Sequence, residues 1–225
     1  MTRRRGVLAV RVASGVALLA AVVLVAPAAQ AQSKARRHAS ALLASLDTAA
    51  RDRQAARQNR RFDPIFQKYA KRYFGVGTDW RWFKAQGMAE SDLTPTARSR
   101  VGARGIMQLM PSTYGQIKSA LPQFGRIDDP QWNIAAGILH DHDLWELWNR
   151  DVPEDQRWAF MFASYNAGEG TIMRARRTAA AEKLDQSRWP AIERVAPKVE
   201  RWRYSETLGY VRTINANKNA LVAGP

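Results

Sequence analysis

Glu90 is the residue in this sequence best placed to exchange a proton. Asp79 caps a helix that begins at Trp80. Within that helix Phe83, Gly87 and Glu90 recur at i, i+4 and i+7 and share one face. The carboxyl therefore points the way apolar Phe83 does, above a gap left by Gly87. Leu93 and Pro95 end the helix just past Glu90. A carboxylate there meets the negative end of the helix dipole, and burial also disfavours its charge. Both raise its pKa from an ordinary value of about 4.3, which suits a general acid near neutral pH. The helix alone leaves open a solvated Glu closing an ordinary helix.

The next stretch is a loop dense in Pro, Ser and Gly. Gly102 and Gly105 permit positive φ or close backbone approach. Pro111, followed by Ser112 and Thr113, opens the next helix. Between them Ile106, Met107, Leu109 and Met110 are core-like, and Gln108 interrupts them as either a satisfied turn residue or a pocket amide facing Glu90. The run from Glu90 to Thr113 reads E-S-x-x-x-P-x-A-x-S-x-x-G-A-x-G-I-M-Q-L-M-P-x-T. It resembles the first motif of the soluble lytic transglycosylase family, glycoside hydrolase family 23. That resemblance implies an all-α, goose-type lysozyme-like fold that cleaves peptidoglycan.

Further elements agree in type and order. Asn133-Ile134-Ala135-Ala136-Gly137 resembles the family's N-I-x-A-G element, with Asn133 structural and Gly137 allowing two helices to pack closely. Tyr165-Asn166-Ala167-Gly168 matches its Y-N-A-G motif, and Glu206-Thr207-Leu208-Gly209-Tyr210-Val211 resembles E-T-x-x-Y-V. The run from Phe62 to Phe74, followed by Asp79-Trp80-Arg81, resembles the catalytic domain of the membrane-bound lytic murein transglycosylase F branch. That branch carries a solute-binding-like domain in front of the catalytic one, and residues 1–61 are not expected to form it.

By this resemblance Tyr165, Asn166, Glu206 and Tyr210 line a sugar-binding cleft, with Tyr165 contacting the acid or the departing oxygen and Glu206 orienting Tyr165 or its backbone. Gln108 and Ser99 hydrogen-bond the acetamide or steady Glu90, and Met107 and Met110 wall it with apolar surface. Most glycosidases use two carboxylates, but Asp92 points away from Glu90 if the helix persists. The family implies a route through one carboxylate. Glu90 protonates the oxygen between N-acetylmuramic acid and N-acetylglucosamine, then takes the proton of the muramic 6-hydroxyl as a 1,6-anhydro ring closes. The family often has a polar residue just before this Glu; here Ala89 removes one supporting contact. A lysozyme-type hydrolase and a non-catalytic wall-binding scaffold of an envelope machine are the alternatives.

The flanking segments fit an exported protein. Arg3, Arg4, Arg5 and Arg11 precede an apolar run from Val12 to Pro27, and Ala29-Gln30-Ala31 supplies a small-x-small cleavage pattern. Residues 1–31 are therefore read as an export signal to the periplasm, with retention as an anchor in the inner membrane as the alternative. The chain has no Cys, which excludes a lipid-modified Cys, disulfides and thiolate metal sites. Without the four signal arginines the formal charge of +15 falls to +11, enough to seek a polyanion. Export favours peptidoglycan glycan strands over nucleic acid, whose recognition motifs are missing.

Residues 32–61 form a basic, partly helical linker arm that suits a wall or membrane surface. The catalytic domain spans 62–217, and 218–225 form a tail. Helices are expected from Asp63-Pro64, from Asp129-Pro130, over 155–168 and over 170–177, with 178–198 irregular and broken at Trp189-Pro190 and Pro197. His140 and His142, with Asp141 and Asp143, suggest a metal reading, but the i, i+2 spacing puts them on different helical faces, so neither a metal site nor a cofactor is expected. Contacts with envelope machinery and the oligomeric state are not legible.

Overall fold

The computed structural model describes residues 40–48 and 60–223. The expected export signal, residues 1–31, and most of the expected basic arm lie outside the described residues. Residues 40–48 are helical and exposed, with Leu42, Leu43 and Leu46 on their surface. They belong to a unit separate from the one that begins at Asn59. No described helix is long and apolar enough to cross a membrane.

Residues 60–223 are helical, with no extended strand among them. The order is α1 (Asp63–Phe74), α2 (Arg81–Ser91), α3 (Pro111–Ala120), α4 (Pro130–Trp148), α5 (Glu154–Ala167), α6 (Glu169–Ala181), α7 (Trp189–Val195), a 3-10 turn (Ala196–Lys198) and α8 (Tyr204–Ala223). Prolines at the first turn open α1, α3, α4 and α7, where the missing N–H costs no helical bond. Asp129 caps α4 by accepting from the Gln131 and Trp132 amides. Asp79 does the same for the Arg81 amide at the start of α2. Trp189-Pro190 thus starts a helix, contrary to the expected break. The basic helix after Gly168 runs on to Ala181, and α8 continues past residue 217 to Ala223. Its C-terminal part is tied down: Asn217 Nδ2 donates to the Ala85 carbonyl at 3.2 Å, and the Lys218 ammonium lies 5.0 Å from the centre of the Trp82 ring.

Three packing relations position the site. α2 lies along α8, α4 packs against both α1 and α5, and α5 also contacts α6 and α8. Their shared core includes Phe66, Phe83, Ile106, Met107, Ile134, Ile138, Phe160 and Phe162, all essentially out of water, a burial worth roughly 1.5–3 kcal/mol for each large apolar side chain. Trp158 of α5 stacks on Trp82 of α2 at 5.1 Å between ring centres and tilts against Phe83 at 5.9 Å. The expected gap over Gly87 is filled: a Cβ there would meet Ile106, Leu93 and Phe66 at 3.1–3.2 Å. Gly87 is therefore a contact residue, because the loop after α2 folds back onto it.

Lys84 is a charged residue inside this core. It is 2% exposed, and its ammonium donates to Asp63 Oδ1 at 2.6 Å, joining α2 to the first turn of α1. Breaking such a pair strands a charge, and Asp63 at 18% exposure recovers part of the loss by hydration. Lys84→Ala is expected to lower unfolding free energy by about 2–4 kcal/mol, read from urea titrations of both proteins.

Candidate active site

Glu90 occupies the last turn of α2, which ends at Asp92 in the left-handed region with φ 50°. Glu90 is half-buried as a residue, and its carboxyl is largely enclosed by protein. Tyr210 of α8 reaches across and donates its hydroxyl to Glu90 Oε1 at 2.5 Å. Burial pushes the Glu90 carboxyl from 4.5 up to about 7, against the opposing pull of the Tyr210 hydrogen bond. Burial and the Glu90 charge in turn hold the Tyr210 and Tyr165 phenols well above their usual range, so both remain hydrogen-bond donors. One acid thus faces two neutral phenols.

Tyr165, near the end of α5, donates to the Met107 carbonyl at 2.7 Å. Met107 is wholly buried, so it contributes a fixed carbonyl as well as apolar bulk. Asn133 of α4 holds this loop in place. Its Oδ1 accepts from the Met107 amide at 2.8 Å, and its Nδ2 donates to the Arg104 and Ile127 carbonyls at 2.9 and 3.0 Å. Gly105 (φ 76°) lies so close that a Cβ would fall 2.4 Å from Asn133 Nδ2. Gly137 is equally constrained, since a Cβ there would meet Met107 Cβ at 2.7 Å. Its small size admits the loop against α4 rather than a second helix.

Other expected site residues lie in supporting positions. Gln108 has φ 44° and donates Nε2 to the Gly105 carbonyl at 2.8 Å, as a turn residue. Ser99 Oγ accepts from the Ala103 amide at 3.0 Å. Met110 immediately precedes α3 and is 39% exposed, unlike the buried Met107. Glu206 is exposed and pairs with Arg203 at 3.1 Å, so it does not orient Tyr165. Asn166 Oδ1 accepts from Thr207 Oγ1 at 2.8 Å, and Trp202 Nε1 donates to the same hydroxyl at 3.0 Å.

Two cavities flank these groups. One of about 630 Å³ runs beside Tyr165 and is lined by Thr113, Gln116, His140, Asp143 and Glu169. The other, about 200 Å³, is bounded by Asn166, Arg201, Arg203 and Glu206. Among the described residues no three His, Cys, Asp or Glu side chains converge as a metal site would need.

Two buried residues are not among the site residues expected from the sequence. Gln86 lies one turn before Glu90 on α2, and Asp141 lies one turn after Gly137 on α4. Both are wholly buried, and Gln86 Nε2 donates to Asp141 Oδ1 at 3.1 Å. The available signal was their i, i+4 spacing from residues already assigned to inward faces.

The arrangement can deliver a proton and take one back at a single carboxyl beside fixed hydroxyl groups. A family model described as transglycosylase SLT domain matches residues 64–187. The chain is 34% identical over 152 residues to the membrane-bound lytic murein transglycosylase F of Shewanella pealeana, covering 67% of this chain and 29% of that protein. With the protein of the same name from Pseudomonas putida strain F1 it shares 31% identity over 152 residues, 66% of this chain and 30% of that one. The chain thus spans less than a third of the length of these curated relatives. The crystal structure of the 70 kDa soluble lytic transglycosylase from Escherichia coli superposes with a TM-score of 0.50 at 26% identity, covering 71% of this chain and 24% of that one.

The loop geometry turns on Asn133. Asn133→Ala removes three hydrogen bonds and leaves buried backbone groups unpaired, so a loss of about 2–4 kcal/mol is expected from unfolding titrations.

Proposed function

The chain belongs to the transglycosylase SLT domain family, and from that premise we propose that it is a peptidoglycan lytic transglycosylase with Glu90 as its single acid and base. The observation that carries this reading is the Glu90 carboxyl, shielded from water, held near pH 7 and hydrogen-bonded by Tyr210. A group titrating there is protonated often enough to act as an acid and is basic enough to recover its proton.

The substrate is the β-1,4 bond between N-acetylmuramic acid and N-acetylglucosamine. Glu90 gives its proton to the bridging oxygen, the bond from C1 to that oxygen breaks, and positive charge develops on the muramic ring. The Tyr210 hydroxyl stabilises the carboxylate that forms, a charge-assisted contact absent from an apolar site. The carboxylate then takes the proton of the muramic 6-hydroxyl, whose oxygen bonds to C1 and closes the 1,6-anhydro ring. Glu90 ends protonated and no water is consumed.

Tyr165 braces the loop through the Met107 carbonyl, while Ser99 and Gln108 shape its turns. Asn166 steadies the start of α8, and with Glu206 it borders the smaller cavity. Residues 1–31 are an export signal, residues 32–61 a basic arm at the wall or membrane surface, and 62–217 contain the catalytic domain. The working location is the periplasm.

The direct test is mass spectrometry of murein sacculi digested with residues 32–225. Anhydro-muropeptides that vanish with Glu90→Gln are expected. Reducing-end products would make the protein a lysozyme-type hydrolase, and sacculus binding without products would make it a scaffold. Tyr210→Phe removes the hydrogen bond that lowers the Glu90 pKa, so the alkaline limb of kcat should move to higher pH. Loss of a bond to a charged group should also cut kcat by about tenfold to a hundredfold, read from initial rates across pH.

A further inference from the structure

Behind Glu90 lies a second carboxyl that the proposed reaction does not use. Asp141 of α4 is wholly buried and faces Gln86 of α2, also wholly buried. The Gln86 amide N–H donates to Asp141 Oδ1 at 3.1 Å. The other two atoms of the pair, Gln86 Oε1 and Asp141 Oδ2, have no hydrogen-bond partner and are shut off from solvent. Each is an acceptor if Asp141 is ionised, and two buried acceptors without donors cost about 1–3 kcal/mol each. A proton on Asp141 Oδ2 supplies the one missing donor. The acid O–H then bonds to the amide oxygen while the amide N–H bonds to the acid oxygen, and all four atoms are satisfied in one ring.

We propose that Asp141 keeps its proton in the working protein and forms this two-bond ring with Gln86, making it a positioning residue for Glu90. Gln86 and Glu90 are successive turns of one helical face, so a clamp on Gln86 sets the rotation of the turn that carries the acid. The charged and titratable groups facing Asp141 agree with a neutral state. Glu90 from α2, Tyr165 from α5 and Tyr210 from α8 surround it, and among the described residues no cation shifts it. Burial and the Glu90 charge both push the Asp141 carboxyl well above its ordinary 3.8. Neutrality at Asp141 also leaves Glu90 as the one group of the pair that titrates near neutrality. The ring stands apart from the reaction assigned to Glu90; only the positioning role rests on that reading.

The experiment compares the full chain with Asp141→Asn and Gln86→Leu. An asparagine amide can close the same ring, so Asp141→Asn should retain kcat within about fivefold and keep the pH profile, whereas Gln86→Leu should lose about tenfold to a hundredfold in kcat by misplacing Glu90. Infrared difference spectra of wild type against Asp141→Asn should contain a protonated-carboxyl band at neutral pH, where an ordinary aspartate is ionised. Stability supplies a readout independent of activity and of the leucine variant's folding. A group whose pKa is raised by folding contributes stability that is lost as pH climbs from its unfolded value towards its folded one. The melting temperature of wild type should therefore fall relative to that of Asp141→Asn as pH rises above the ordinary aspartate value of 3.8. An ionised-carboxylate band with a pH-independent melting difference would overturn the ring. A folded Asp141→Asn protein that loses kcat as severely as Gln86→Leu would overturn the neutral positioning role. Inactivity of wild type on sacculi would instead count against the reaction, leaving the spectra to decide the ring.

Discussion

Keeping one carboxyl dry enough to hold its proton near pH 7 and open enough to meet a substrate is the constraint on which this domain depends. Glu90 satisfies both demands by sitting on the final turn of a buried helix. The faces of α2 that carry Phe83, Gln86 and Gly87 are sealed, while the end of the helix reaches solvent. Desolvation is the larger influence on the acid, and the Tyr210 hydroxyl limits it. Without that hydroxyl the acid would be held too strongly to release its proton readily.

The rest of the architecture supplies walls for this carboxyl. Helix α8 returns along α2 to deliver Tyr210, after nearly the whole domain has been built. The loop between α2 and α3 closes another side, and it is irregular backbone that needs its polar groups satisfied. Asn133 does this from the second turn of α4, and Tyr165 adds a bond from α5. Gly105 and Gly137 leave the space these contacts require. The Asp141–Gln86 pair adds a polar link between α4 and α2 where apolar packing alone would leave the helix freer to turn.

Legibility in the sequence followed the range of the interactions. Local signals were clear: Asp79 and Asp129 as caps, prolines opening helices, and Glu90 at a helix end. Even there Trp189-Pro190 was misread, because proline both breaks a helix from within and starts one at its first turn. Resemblance identified Tyr210 as a site residue, while its bond to Glu90, 120 positions away, appears only when α8 lies on α2. Motif membership does not show a side chain's surroundings, as Glu206 and Met110 illustrate. Both occur in segments matching the family, yet Glu206 pairs with Arg203 in solvent and Met110 lies at the surface. Asp141 was hidden by composition, since an acid between two histidines reads as surface or metal chemistry until the helix face it occupies is known.

The central claim is that the fold itself holds Glu90 near neutrality before any substrate binds. Carbon-13 NMR of carboxyl-labelled glutamate, with the Glu90 resonance assigned by its absence in Glu90→Gln, measures that titration directly. A midpoint near 7 is the predicted result. A midpoint near the ordinary 4.5 would contradict the account, because the enclosed site would then fail to keep the acid protonated.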